Sequence, residues 1–153
     1  MLNSTTSALL ILDEIQSGIG RTGKLFGFEN YSVVPHIIVT GKGLGGGMPI
    51  GAFISSFEIM ACLKQHPKLG HITTFGGHPV SCAVALANLD VMENDEICGN
   101  VLRHEELFDD VMASLSQLPI VGDVRGCGYF RVAELVSNKE TRQTFTDNES
   151  EWL

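Results

Sequence analysis

Very little in this chain of 153 residues points outward to nucleic acid, membrane or metal. Charged residues make up only 18%, and the ten lysines and arginines are scattered without forming a basic stripe. With a formal net charge of -8, that distribution argues against a nucleic-acid partner. Four cysteines, Cys62, Cys82, Cys98 and Cys127, lie far apart with no paired spacing. They suggest neither a zinc knuckle nor a disulfide framework, and read as reduced thiols in a cytoplasmic setting. The opening MLNSTTSALLILDE has no positive n-region, and its apolar run stops at Asp13 after five residues, so neither signal peptide nor membrane span is expected. Internal repeats and low-complexity tracts are absent. So is the order of a phosphate-binding P-loop, because Lys42 is followed by Gly43.

What is present centres on residues 13 to 42. Two apolar runs, Ala8 to Leu12 and Ile37 to Val39, each stop at a polar group and a loop. As neighbouring central strands of a parallel sheet they deliver Asp13 and Lys42 to one crevice beyond the strands' carboxyl ends. A carboxylate there is costly to bury unless paired, and from the local pattern alone Asp13 and Glu14 read equally as a solvated strand end. Between the runs, residues 15 to 34 are loop-rich, with Phe26, Phe28 and Tyr31 as anchors and Arg21 as either a carboxylate holder or a surface group. Lys42 sits among glycines 41, 43, 45, 46 and 47, which leave it beside exposed backbone N–H groups and little side-chain bulk. An amine so confined can be a nucleophile toward a carbonyl, although a lone lysine after a strand is more often a surface group.

Further on, PIGAFISS reads as a third strand, and Glu58 to Lys64 as a short helix or turn. TTFGGHP, Thr73 to Pro79, suits a tight anion contact or an ordinary loop, with Pro79 as the first residue of a helix. The spacing of Val80, Ala83, Val84, Ala87 and Val91 predicts a helix buried on that face. After a break at Asn94 to Glu96, a second helix is expected from about Ile97 to Leu118, ended by Pro119, with Val101, Phe108, Val111 or Met112, and Leu115 inward. Residues 120 to 136 read as one or two strands around an Arg125 to Gly128 turn, beginning a smaller unit. The expected division is therefore a large unit over 1–118 and the start of a small one over 119–153.

The stretches ILDEIQSGIGRTGKLF, HIIVTGKGLGGGMPIGAF, TTFGGHPVSCAVALA and VGDVRGCGYF together resemble the class III aminotransferases, the ornithine, acetylornithine and 4-aminobutyrate transaminase family. The resemblance runs over roughly residues 8 to 145. It implies an α/β fold of the fold-type I pyridoxal phosphate (PLP) transferases: a partial large domain, mostly parallel sheet with helices, and the start of the small C-terminal domain. It also implies transamination from an amino acid or amine to a 2-oxo acid, with Lys42 forming the internal aldimine and Asp13 pairing with the pyridine nitrogen. Gln16 would lie near the ring hydroxyl. In a homodimer, Thr74 would reach the phosphate of the partner's cofactor. Glu14 and Arg21 match the pattern without a defined role. The family's pattern also includes a phosphate-cradling glycine loop, a ring-stacking aromatic and a substrate-clamping arginine, which this sequence does not supply. A truncated, inactive fragment with a binding or assembly role is accordingly the alternative, as is a lyase, decarboxylase or aminomutase on the same scaffold.

Overall fold

The computed structural model describes residues 8–64, 68 and 70–146. Readings that fall on 1–7, 65–67, 69 and 147–153 lie outside the described residues.

Strands β1 (Ile11–Asp13), β2 (Ile37–Thr40) and β3 (Ala52–Ser55) form one sheet in the order β1-β2-β3. Strands β1 and β2 are parallel, with Asp13 registered against Val39, and the Glu14 N–H donates to the Val39 carbonyl at 2.8 Å. The expectation of two parallel apolar strands ending at polar residues therefore holds. β3 runs antiparallel to β2, with Thr40 registered against Ala52, so among the described residues the sheet is mixed rather than mostly parallel. The reason is local: the chain reverses through the glycines after Lys42 and returns at once beside β2, which only an antiparallel strand can do over so short a connection. Ile11 and Ile54, on the two outer strands, are 55% and 50% exposed, the apolar edge surface expected of so small a sheet.

Helices α1 (Phe57–Ala61), α2 (Pro79–Asn94), α3 (Ile97–Arg103) and α4 (Glu105–Leu115) follow. Ser56 caps α1 through its side chain, and Pro79 occupies the first turn of α2 just after His78, as its missing N–H allows. The face of α2 differs from the expected one. Val80 and Val91 are 52% and 49% exposed, while Ser81 and Ala85 are buried. Periodicity could not distinguish these faces, because alanine and valine occur on both and the loop against which α2 packs admits only small or polar side chains. The long second helix is two helices: the chain turns at His104, and α4 ends at Leu115, before Pro119. Val101 is buried, and Phe108, Met112 and Leu115 are half-buried, whereas Val111 is 51% exposed, which settles the Val111 or Met112 alternative for Met112. Tyr31, expected as an anchor, is 72% exposed; Phe26 and Phe28 are half-buried and stack with centroids 5.8 Å apart.

Strands β4 (Val121–Cys127) and β5 (Phe130–Leu135) make an antiparallel hairpin whose turn is Gly128–Tyr129, slightly later than the expected turn. The hairpin is fastened to α4 by Glu105, which accepts from the Gly128 N–H at 2.7 Å and from Arg131 at 2.9 Å, and Asp109 also pairs with Arg131. It is fastened to the loop after β1 by the Tyr129 N–H, which donates to the Arg21 carbonyl at 2.9 Å. Gly128 has φ +53°, and a β-carbon there would meet the Thr22 backbone at 2.7 Å. Gly128→Ala is therefore expected to lift the turn off residues 21–22 and to destabilise the fold by about 2–4 kcal/mol, adding left-handed strain to overpacking. A lowered urea midpoint with an unchanged slope checks this; an unshifted midpoint contradicts it.

Candidate functional site

Lys42 opens a single 3-10 turn, Lys42–Gly45, immediately beyond β2. Its side chain is exposed, and among the described residues its amine makes no hydrogen bond or ion pair. The turn does not present a full set of free amides as expected. Leu44, Gly46 and Met48 donate to the carbonyls of Gly41, Gly43 and Gly45 at 2.9, 3.3 and 2.9 Å. Helix α2 steadies the turn from one side: the Asn88 amide donates to the Gly43 carbonyl at 2.9 Å, and its β-carbon lies where a side chain on Gly46 would go.

From the other side the turn meets the loop after β1. A β-carbon on Gly43 would stand 3.1 Å from the Ile19 β-carbon, so a side chain there would require the two segments to give by a few tenths of an ångström. Both Lys42 (φ +42°) and Ile19 (φ +52°) hold left-handed backbone, and Ile19 is β-branched, for which that region is a genuine outlier. Each costs about 1–3 kcal/mol, a strain that persists only where surrounding contacts over-determine it.

The two acids after β1 take opposite roles. Asp13 is exposed, its Oδ1 accepting from the Ile15 N–H at 3.0 Å. No protein donor engages Oδ2 among the described residues. Glu14 is the buried acid, 4% exposed, and its carboxylate accepts from Ser17 Oγ at 2.6 Å and from the Gly27 and Phe28 N–H groups, each at 2.8 Å. Three donors replace its lost hydration, which is why this carboxylate can be buried without a cation.

Lys42 and Gln16 share a concavity of about 310 Å³ that Arg21, Asn100 and Tyr129 also line. Asp13 lies outside that concavity. It borders a larger space of about 860 Å³ with Leu12, Phe28 and Phe130, while Thr74 borders a third of about 890 Å³ with His78 and Ser81. Asp13 and Lys42 stand at neighbouring ends of paired strands and line different concavities among the described residues. The register still bounds their separation. Val39 faces Asp13 one strand away. With about 4.8 Å between strands and about 3.3 Å per residue over the three residues from Val39, the α-carbons of Asp13 and Lys42 are at most about 15 Å apart.

Sequence reasoning missed Asn88, Ile19, Asn100 and Tyr129 as neighbours of Lys42. Only Asn88 left a signal, a polar residue seven positions after Ser81 on the packed face of a mostly apolar helix. Burial pushes the thiols of Cys98 and Cys127 up, so neither is set up as a thiolate at neutral pH.

The mixed sheet with helices is a partial large domain of the fold-type I PLP-dependent transferases. The chain belongs to the class-III aminotransferases, whose sequence profile matches residues 2–151. It is 43% identical over 143 residues to a probable aminotransferase of Mycobacterium tuberculosis, covering 92% of this chain and 31% of that protein. Its structure is similar to a thermostable (S)-enantioselective omega-transaminase from Thermomicrobium roseum, with TM-score 0.80 and 38% identity over 92% of this chain and 32% of the other. It is also similar to a PLP-bound aminotransferase mutant from Vibrio fluvialis, with TM-score 0.80 and 32% identity over 92% and 32% of the two chains. The chain therefore spans about a third of the length of the relatives it matches.

Proposed function

We propose that this chain is the lysine-bearing segment of a PLP-dependent transaminase that moves an amino group from an amino acid or amine to a 2-oxo acid. The observation that carries the reading is an exposed Lys42 amine, unpaired among the described residues, lining one concavity with Gln16 and held at a strand end by a strained turn in a chain of this family. The residues present fit the cofactor in their donor set. Among the described residues, Lys42 supplies an unpaired amine for covalent attachment and Asp13 a carboxylate oxygen without a protein donor. Gln16 supplies an amide at the same concavity as the amine.

When bound, PLP supplies the electron sink that lets the amino-bearing carbon of a substrate lose its proton. Lys42 would hold the cofactor through its amine and, when that amine is free, would take and return that proton. Asp13 would keep a proton on the ring nitrogen by presenting a negative charge to it. Thr74, on an exposed loop, is assigned to the cofactor phosphate of a second subunit in a homodimer.

A second reading has this chain, by itself, bind cofactor without turning substrate over. Its support is the separation of Asp13 and Lys42 into different concavities, since reacting groups count only when positioned. One experiment tests the shared part of both readings. Purified chain is mixed with PLP, reduced with borohydride, digested and mapped by mass spectrometry. A pyridoxyl group fixed on Lys42 is expected; fixation spread over surface lysines, or none, overturns the proposal. Amino transfer by the same preparation separates the two readings.

A further inference from the structure

We infer that Glu14 is a positioning residue for the Lys42 site, acting through the loop it closes. The inference rests on the assignment of Lys42 as the cofactor lysine, but its structural part stands independently of any cofactor.

The carboxylate of Glu14 gathers both ends of the segment from residue 14 to residue 28. Ser17 donates from the near end, and the amides of Gly27 and Phe28 from the far end. The Glu14 carbonyl also accepts from the Gly18 N–H at 2.9 Å, so its main chain and side chain both hold the loop. At Gly18 the approach needs glycine, since a β-carbon there would lie 2.6 Å from the Glu14 carbonyl oxygen; at Gly27 it is tight, a β-carbon lying 3.0 Å from Glu14 Oε2.

Within the closed loop, Gln16 faces the Lys42 concavity, and Ile19 presses on Gly43, the residue after Lys42. Two left-handed non-glycine residues, Ile19 and Lys42, thus hold strained backbone across one contact. Strain of this kind relaxes unless something clamps it. Asn88 clamps the lysine turn through the Gly43 carbonyl, and on the loop side the three-donor carboxylate of Glu14 is the buried clamp. The adjacent acids therefore divide their labour. Asp13 faces outward for the ligand, and Glu14 faces inward to set the backbone that aims Gln16 and the lysine.

The test compares the unmodified chain with Glu14→Gln, Glu14→Asp and Ser17→Ala by amide hydrogen exchange and by the rate of borohydride fixation of PLP on Lys42. Glutamine keeps the volume but turns an N–H toward one of the backbone donors. In that variant, exchange at Leu44 and Gly46 in the lysine turn should rise about tenfold along with exchange at Gly27 and Phe28, as expected when a charged buried hydrogen-bond acceptor is lost. Fixation on Lys42 should slow by about tenfold or more, since a misplacement of about 1 Å can cost up to about a hundredfold. Ser17→Ala, which removes one donor and leaves the acid buried, should move both readouts in the same direction by about two- to threefold, and decides the matter if Glu14→Gln does not fold. Glu14→Asp, which retains the charge, should recover part of the fixation rate.

Faster exchange confined to residues 14–28, with Leu44 and Gly46 and the fixation rate unchanged, overturns the inference while leaving Lys42 as the cofactor lysine. Failure of the unmodified chain to fix PLP on Lys42 overturns that assignment and the catalytic half of the inference with it. The exchange measurement still judges the mechanical half.

Discussion

Replacing Lys42 with alanine is expected to remove both cofactor fixation and turnover from the enzyme that contains this segment, the latter by at least about three orders of magnitude. An alanine cannot form the covalent link and cannot carry the proton, so two functions disappear in one substitution. Stability is expected to change by no more than about 0.5 kcal/mol, because the side chain is exposed and makes no hydrogen bond or ion pair among the described residues. Lys42→Gly sharpens the result. With φ at +42° the lysine backbone is strained, and glycine at this position is expected to raise stability by about 1 kcal/mol while abolishing fixation equally. A protein that becomes more stable as it loses its chemistry is the signature of strain held for function. A pyridoxyl group fixed by borohydride in either variant would show that another amine holds the cofactor.

Asp13→Asn is the second large effect, and it separates binding from chemistry. The substitution is isosteric, and an asparagine oxygen can still accept from the Ile15 N–H, so the loop entry is expected to stay as it is. What disappears is the negative charge. Fixation of PLP on Lys42 should persist, whereas turnover should fall by about two to three orders of magnitude, the scale on which a lost preorganised electrostatic partner is felt. Steady-state rates alongside the fixation assay check this. Unchanged turnover would detach Asp13 from the reaction and give weight to its placement in a concavity separate from that of Lys42.

The two acids show how far sequence carried the reading. That an apolar strand ended in Asp-Glu was plain, and one of the two acids could be expected to be buried only with partners. Which one was a tertiary fact. The N–H groups that make burial possible belong to Gly27 and Phe28, thirteen and fourteen residues downstream, and nothing in the spacing announces that those amides return to Glu14. Helix α2 repeats the lesson. Its start at Pro79 was legible because proline fixes backbone geometry locally, but its buried face was not. Ser81 and Ala85 are buried on the same side of the helix as Asn88, whose amide meets the glycine turn, and which side is covered is set by another part of the chain.

The sequence by itself determined the order of the elements, the parallel direction of the strands that end at Asp13 and before Lys42, and the membership of the chain in its family, because each rests on local pattern or on motif order. The tertiary structure alone decided that β3 runs back against β2, that the helical run divides at His104, and that Asp13 turns outward while Glu14 turns in. Those outcomes depend on which backbone donors and which empty volumes meet a given residue across long separations in the chain, and a linear pattern does not encode that meeting.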